Sequence, residues 1–269
     1  MIHLRSITLH KSITRDGFPF TIPVIGTLHT LTFSSSVTFF VGENGSGKST
    51  LLEAIAYAAE LPTVGSTQAQ TDDTLLHVQS LADALKLTWN RRTRRGFFMR
   101  SEDFFGFVKS IAQTRAELNA DLRRVDKEYA DRSDYARGLA RMAYAGELKS
   151  LQESYGDGLD SHSHGESYFA LFQSRFVSNG LYLLDEPEAP LSPMRQLTFI
   201  SLLSMALKQD AQFIIATHSP IVLAYPGAVI LSLDNDQVTQ VDYESLDHVN
   251  VMRSFLENPD AYLRHLIEE

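Results

Sequence analysis

The chain is 269 residues long and 43% hydrophobic, enough to bury a core as one large domain or as a core with a lobe, and too apolar for a disordered chain. Its formal net charge of −9 excludes a surface that is basic throughout, as a general binder of nucleic acid or acidic membrane requires. There is no cysteine, which excludes disulfides, cysteine nucleophiles and cysteine zinc sites and fits a reducing cytosol.

The N-terminal "MIHLRSITLHKS" mixes polar residues with apolar ones and lacks the apolar block of a signal peptide. No run approaches the roughly 18 apolar residues of a membrane span. A soluble, cytoplasmic protein with no membrane contact is expected. Residues 2–9 and 20–33, rich in Ile, Thr, Phe and Val and broken by Pro19, Pro23 and Gly26, read as strands and turns. "VTFFV" (37–41) is a strand. In the following "LLEAIAYAA", Leu52, Ile55, Ala56 and Ala59 share one helical face. Residues 61–74 are polar and turn-rich, a loop. "LKLTWN" and the aromatic run "FFM" suggest a hairpin around "RRTRRG".

From 103 to 155 proline is absent, and Ile111, Leu118, Leu122, Val125 and Tyr129 fall at three- and four-residue steps. This predicts an amphipathic helix, with a second from about 132. Two helices of about 20 residues would reach only about 30 Å, a compact lobe rather than a long coiled-coil arm. Strands return at 181–184 and 212–216, separated by a helix from Pro193, and "AVILSLDNDQVTQVDYE" reads as a closing hairpin. Asn258-Pro259 opens a last helix. Alternating strands and helices predict an α/β fold with a mainly parallel sheet.

Three strand ends carry the chemistry. "GENGSGKS" fits G-x-x-x-x-G-K-[ST] completely, between a strand and a helix. Gly42, Gly45 and Gly47 let backbone N–H groups close on a phosphate, with Glu43, Asn44, Ser46 and Thr50 in the same cradle and the helix N-terminus adding its dipole. Lys48 is expected to reach the β- and γ-phosphates of ATP and Ser49 to ligate Mg²⁺. "LYLLDE" ends a buried strand with Asp185, a second Mg²⁺ ligand, and Glu186, a general base for the attacking water. "IIATHSP" ends a third strand at His218, which is either a γ-phosphate contact or a structural histidine.

These motifs, in this order, resemble the ATP-binding-cassette superfamily, in particular its soluble branch of chromosome-maintenance and RecF-like repair ATPases. "SHGES", "LLDEPEAPLSP" and "IIATHSPI" look like the small bacterial AAA-type ATPases, some of whose relatives sit in toxin–antitoxin or phage-defence operons. The resemblance covers residues 1–60 and 160–235. It implies a P-loop NTPase core with a mainly parallel sheet, an antiparallel β subdomain and a helical lobe, in one domain. The core is expected at 1–60 and 160–243, the lobe at 97–159 and a C-terminal helical segment at 244–269. It also places Ser163, His164, Gly165 and Glu166 at the signature loop, which completes the phosphate site of a second molecule in an ATP-dependent head-to-tail homodimer. Lys11, in "LHKSI", matches a nucleotide-contacting segment.

Several alternatives stay open. His162 and His164 in His-x-His spacing also read as a zinc pair, though no third ligand is evident. Ser192 is a helix cap before Pro193 or an inter-site contact. Gln79 and Gln113 are both candidates for the lid glutamine. Arg91, Arg92, Arg94, Arg95 and Arg100 read as a nucleic-acid contact with Phe97 and Phe98, or as a solvated turn with acid-paired arginines. The chain ends soon after the hairpin that follows His218, so an effector or toxin partner is expected on a separate chain. The competing functions are the ATP-binding subunit of a membrane transporter and a slow ATP-dependent switch.

Overall fold

A computed structural model describes residues 1–10, 16–64, 73–155 and 171–267. The strands are β1 (Leu4–Leu9), β2 (Thr30–Thr32), β3 (Val37–Val41), β4 (Leu85–Trp89), β5 (Gly96–Arg100), β6 (Leu181–Asp185), β7 (Gln212–Ala216), β8 (Val229–Ser232) and β9 (Thr239–Val241). The helices are α1 (Pro23–Gly26), α2 (Lys48–Ala58), α3 (Gln79–Ala84), α4 (Ser101–Glu128) and α5 (Asp134–Tyr155). Then come helical residues 171–175 (α6), α7 (Pro193–Leu207), α8 (Pro220–Leu223), α9 (Asp247–Glu257) and α10 (Pro259–Ile267).

A six-stranded sheet in the order β5-β6-β7-β3-β8-β9 forms the centre. All its pairings are parallel except that of β8 with β9, the predicted closing hairpin. Its central strands are apolar on both faces because both are covered. Phe40, Phe98, Leu183 and Ile214 pack under α2 and α3, while Phe39, Tyr182, Leu184, Phe213 and Ile215 pack with Phe199, Leu202 and Leu203 of α7. The antiparallel sheet β2-β1-β4 joins the first layer. Buried Gln212 ties the two sheets. Its Oε1 accepts from the His3 and Leu4 N–H groups (2.7 and 2.8 Å) and its Nε2 donates to the Leu4 carbonyl (3.0 Å), at the irregularity in the β1–β4 register.

The fold is the expected α/β class, and three local expectations are corrected. The segment around "RRTRRG" is no hairpin. β4 pairs with β1 in the antiparallel sheet, whereas β5 is the edge of the central one, paired in parallel with β6. The apolar run of β5 buries Phe97 on one face and Phe98 on the other, as a strand covered on both sides must. Gly96 (φ +114°) is required there, since a Cβ would overlap the Leu181 carbonyl. The lobe helices therefore start at Ser101, not 97. Between residues 20 and 33 the chain also makes a short helix, with Pro23 at its first position, before β2.

The lobe is the antiparallel pair α4 and α5, of 28 and 22 residues. At 1.5 Å per residue α4 spans about 42 Å, longer than expected. Leu118, Leu122 and Val125 are buried, and Arg141 pairs with Asp126 across the two helices.

Candidate nucleotide site

β3 delivers the chain to the phosphate loop, and α2 starts at Lys48. Gly47, the N-cap, has φ +100°, a left-handed conformation that lets the loop turn into the helix. Lys48, 5% exposed, donates from Nζ to the carbonyls of Gly42 (2.6 Å) and Glu43 (2.9 Å), an arrangement closed on the loop itself. Burial lowers its pKa, opposed by the charges of Asp185, Glu186 and Asp234. The loop is braced from β8: Asp234 Oδ1 accepts the Glu43 N–H (2.5 Å), and Oδ2 accepts the Ser232 hydroxyl (2.9 Å).

Asp185 ends β6 with 7% exposure. Burial pushes its carboxyl up to about 6; a hydrogen bond from the Ser49 side chain and the charge of Lys48 hold it down, while Glu186 and Glu53 add to the rise. Its Oδ1 has no partner among the described residues. A hydroxyl beside a buried, unsatisfied carboxylate oxygen is the hard-oxygen donor set Mg²⁺ takes, completed by phosphate oxygens and water. Among the described residues no group of three or more His, Cys, Asp or Glu could hold a metal. Ser49 and Asp185 thus fit a substrate-shared Mg²⁺ rather than an all-protein cage.

The chain turns out of β6 at Glu186, which has φ +48°, and its N–H donates to the Ala216 carbonyl at the end of β7 (2.9 Å). A non-glycine residue in this region is uncommon. Glu188, which sequence reasoning missed inside "LLDEPEAP", bridges the same strand ends. Its Oε1 accepts the His218 N–H (2.9 Å), and burial raises its pKa. Burial lowers the pKa of His218, as does Lys48, while Glu186 opposes them. Lys48, Ser49, Asp185, Glu186 and His218 are thereby brought together.

Other candidates fall elsewhere. Lys11, Ser163, Gly165 and Glu166, with His162 and His164, lie outside the described residues. Gln79 is exposed at the start of α3, and Gln113 donates to Glu117 on its own helix (2.9 Å). The residue beside Asp185 on the next strand is instead Arg100. It is 12% exposed and pairs with Asp103 (3.0 Å), Glu102 (3.5 Å) and Glu53 of α2 (3.7 Å), and Glu53 in turn meets His77 (2.9 Å). Ser192 is the N-cap of α7, but its side chain makes no capping bond. Arg94 pairs with Glu60 (2.9 Å), Arg92 lies 3.9 Å from the same carboxylate, and Arg91 and Arg95 donate to Asn179 (2.9 Å) and the Ser178 carbonyl (3.4 Å).

A glycine-rich loop between a parallel strand and its helix, facing a strand that ends in the buried Asp185, is the arrangement of a P-loop nucleotide site. Residues 25–129 match the family profile described as the AAA domain. Among solved structures, the chain is similar to the Smc head domain with an extended coiled coil from Pyrococcus furiosus, bound there to the C-terminal domain of ScpA. Identity is 14%, with 96% of this chain and 99% of that chain covered and a TM-score of 0.45. The SMC head domain from Thermotoga maritima is similar at 17% identity, covering 89% and 98%, with a TM-score of 0.43. So is cbiO1 from Clostridium perfringens, part of the ABC transporter complex cbiONQ, at 14% identity, full coverage of both chains and a TM-score of 0.46. No curated protein matches the sequence. Among the described residues no helix is long and apolar enough to cross a membrane.

Proposed function

We propose that the protein is a Mg²⁺-dependent ATPase that acts as an ATP-gated head-to-tail dimer, each phosphate site completed by the "SHGES" loop of a second copy. One observation carries the chemistry: the Ser49 side chain meets a buried Asp185 with a free Oδ1, one residue before Glu186. In this reading residues 1–60 and 160–243, joined by β5, make the nucleotide core, and 244–269 are a C-terminal helical segment. Lys48 leaves its loop carbonyls for the β- and γ-phosphates. Ser49 and Asp185 would hold Mg²⁺, which would supply positive charge beside the phosphate oxygens. Glu186 takes the proton of a water that attacks the γ-phosphorus, the bond to the β–γ bridging oxygen breaks, and ADP and phosphate leave. The closing and opening of the dimer drive or switch a cytoplasmic partner on another chain, in DNA transactions or phage defence.

The test is Glu186→Gln, which keeps the shape of the site but removes the base. ATP binding should persist while turnover falls at least about 100-fold, and ATP should now trap a dimer visible by light scattering. Wild-type turnover would sink the assignment of Glu186. Adding Gly165→Asp should abolish the dimer by placing negative charge against the partner's phosphate. A double variant that still dimerises on ATP as well as its parent would overturn the shared-site reading.

A further inference from the structure

Besides Asp185 Oδ1 and Glu188 Oε2, three further polar atoms near the phosphate loop are buried without a hydrogen-bond partner among the described residues: Ser46 Oγ, His218 Nε2 and His248 Nε2. His218 follows β7 by two residues. His248 is the second residue of α9, and no motif announces it. The two rings stand edge to face with centroids 6.3 Å apart. A cavity of about 730 Å³ opens between the phosphate loop and α9, lined among others by Gly42, Ser46, Asp234 and His248. Asp234 receives the Glu43 N–H and the Ser232 hydroxyl, and neither imidazole Nε2 is hydrogen-bonded to it.

Buried polar atoms in folded proteins find partners, from protein, water or ligand. Burial lowers the pKa of both histidines, so near neutral pH each is a neutral ring with one N–H to give. Lys48 acts on His218 and Asp247 on His248, while Asp234 acts on both. The acceptor that a phosphate loop brings to this place is a phosphate oxygen. We propose that His248 is a second phosphate-contacting imidazole, which donates from Nε2 to the terminal phosphate of a nucleoside triphosphate held by the phosphate loop, beside His218. This deepens the ATPase reading and rests on it. A diphosphate lacks the terminal acceptor, so the first turn of α9 gains its contact with triphosphate and loses it after hydrolysis, which ties the C-terminal helices to the state of the nucleotide.

Calorimetric titration of Mg·ATP and Mg·ADP into the full chain, in the Glu186→Gln background to stop turnover, tests this. His248→Ala should weaken ATP about tenfold or more, the loss expected for one hydrogen bond to a charged group, and change ADP affinity less than about twofold. Glutamine places an amide nitrogen where Nε2 stands, so His248→Gln should keep most of the ATP affinity, and the shorter His248→Asn should not. Equal weakening of ATP and ADP, or none, overturns the proposal, as does equal behaviour of the Gln and Asn forms. That Gln–Asn comparison also stands if His248→Ala fails to fold. Lys48→Ala separates the two levels: if it leaves ATP affinity intact, the ATPase reading itself falls, whereas a loss there with unaltered His248→Ala overturns the role of His248 alone.

Discussion

The carboxyl ends of β3, β6 and β7 and the neighbouring end of β5 both gather buried charge, and they handle it in opposite ways. At the first, Asp185 Oδ1, Glu188 Oε2 and His218 Nε2 lack partners among the described residues. At the second, Arg100, Asp103, Glu53 and His77 form a closed chain of ion pairs and hydrogen bonds. A buried polar atom left open costs stability that a ligand can return, whereas a network that satisfies itself offers a ligand nothing. The difference sets the open carboxyl ends of β3, β6 and β7 apart from Arg100, which joins the α2 layer to the first turn of α4.

The largest expected effect falls on the open region. Lys48→Ala should weaken Mg·ATP at least about 100-fold, because a phosphate charge drawn into the site loses its buried ammonium partner. Thermal stability should move little, since the bonds lost are to two loop carbonyls. A titration with a fluorescent ATP analogue reads the first and a melting curve the second. A variant that melts at a lower temperature but keeps its affinity would invert the comparison.

Next in size is the closed region. Arg100→Met leaves Glu53 and Asp103 without their cation and should cost about 3 kcal/mol of stability in urea unfolding. Adding Glu53→Gln should recover part of that loss, since the two share one interaction. ATP affinity per folded molecule should stay within a few-fold. If Arg100→Met instead removes binding while the fold holds, the joint belongs to the active site.

How far the sequence reveals each region follows from the same division. The phosphate loop and the strand ending in Asp185 and Glu186 are contiguous words whose chemistry is local, so they are readable. Arg100 is adjacent to Asp185 only because β5 pairs in parallel with β6, and no local pattern carries that pairing. The basic turn between "LKLTWN" and "FFM" imitates a hairpin. The contrary signal was the unbroken apolar run of β5, which marks a strand buried on both faces. His248 had no signal at all, since one histidine on an amphipathic helix is unremarkable until its Nε2 is found buried and unmatched.

A smaller effect is tied to pH. The Asp185 carboxyl, pushed up to about 6, must be ionised to bind Mg²⁺. Mg²⁺-dependent ATP affinity should therefore fall about tenfold per pH unit below about 6. The stability linkage runs the other way. The folded pKa lies above the unfolded value, so the contribution of this group is full at pH below 3.8 and is lost as pH rises through about 6. Asp185→Asn should flatten that limb of the stability profile in metal-free protein. A profile unchanged by the substitution would assign the titration to another group.

The smallest effect concerns the arginines between β4 and β5, where the two ways of handling charge meet at the surface. Glu60 neutralises Arg94 and in part Arg92, and Arg91 and Arg95 are engaged by neutral oxygens of residues 178 and 179. Exposed pairs of this kind contribute only about 0–1 kcal/mol each, so they are readily exchanged for a phosphate backbone. If the segment tracks nucleic acid, affinity should fall with salt by about 0.7–0.9 log units per contact for each tenfold rise in salt. Neutralising Arg91, Arg92, Arg94 and Arg95 together should flatten that slope without changing ATP turnover. Glu60→Gln should do the reverse, freeing Arg94 and steepening the slope by up to one contact. If neither DNA nor RNA binds at low salt, with or without ATP, the arginines belong with Arg100, as charges that the protein pairs for itself.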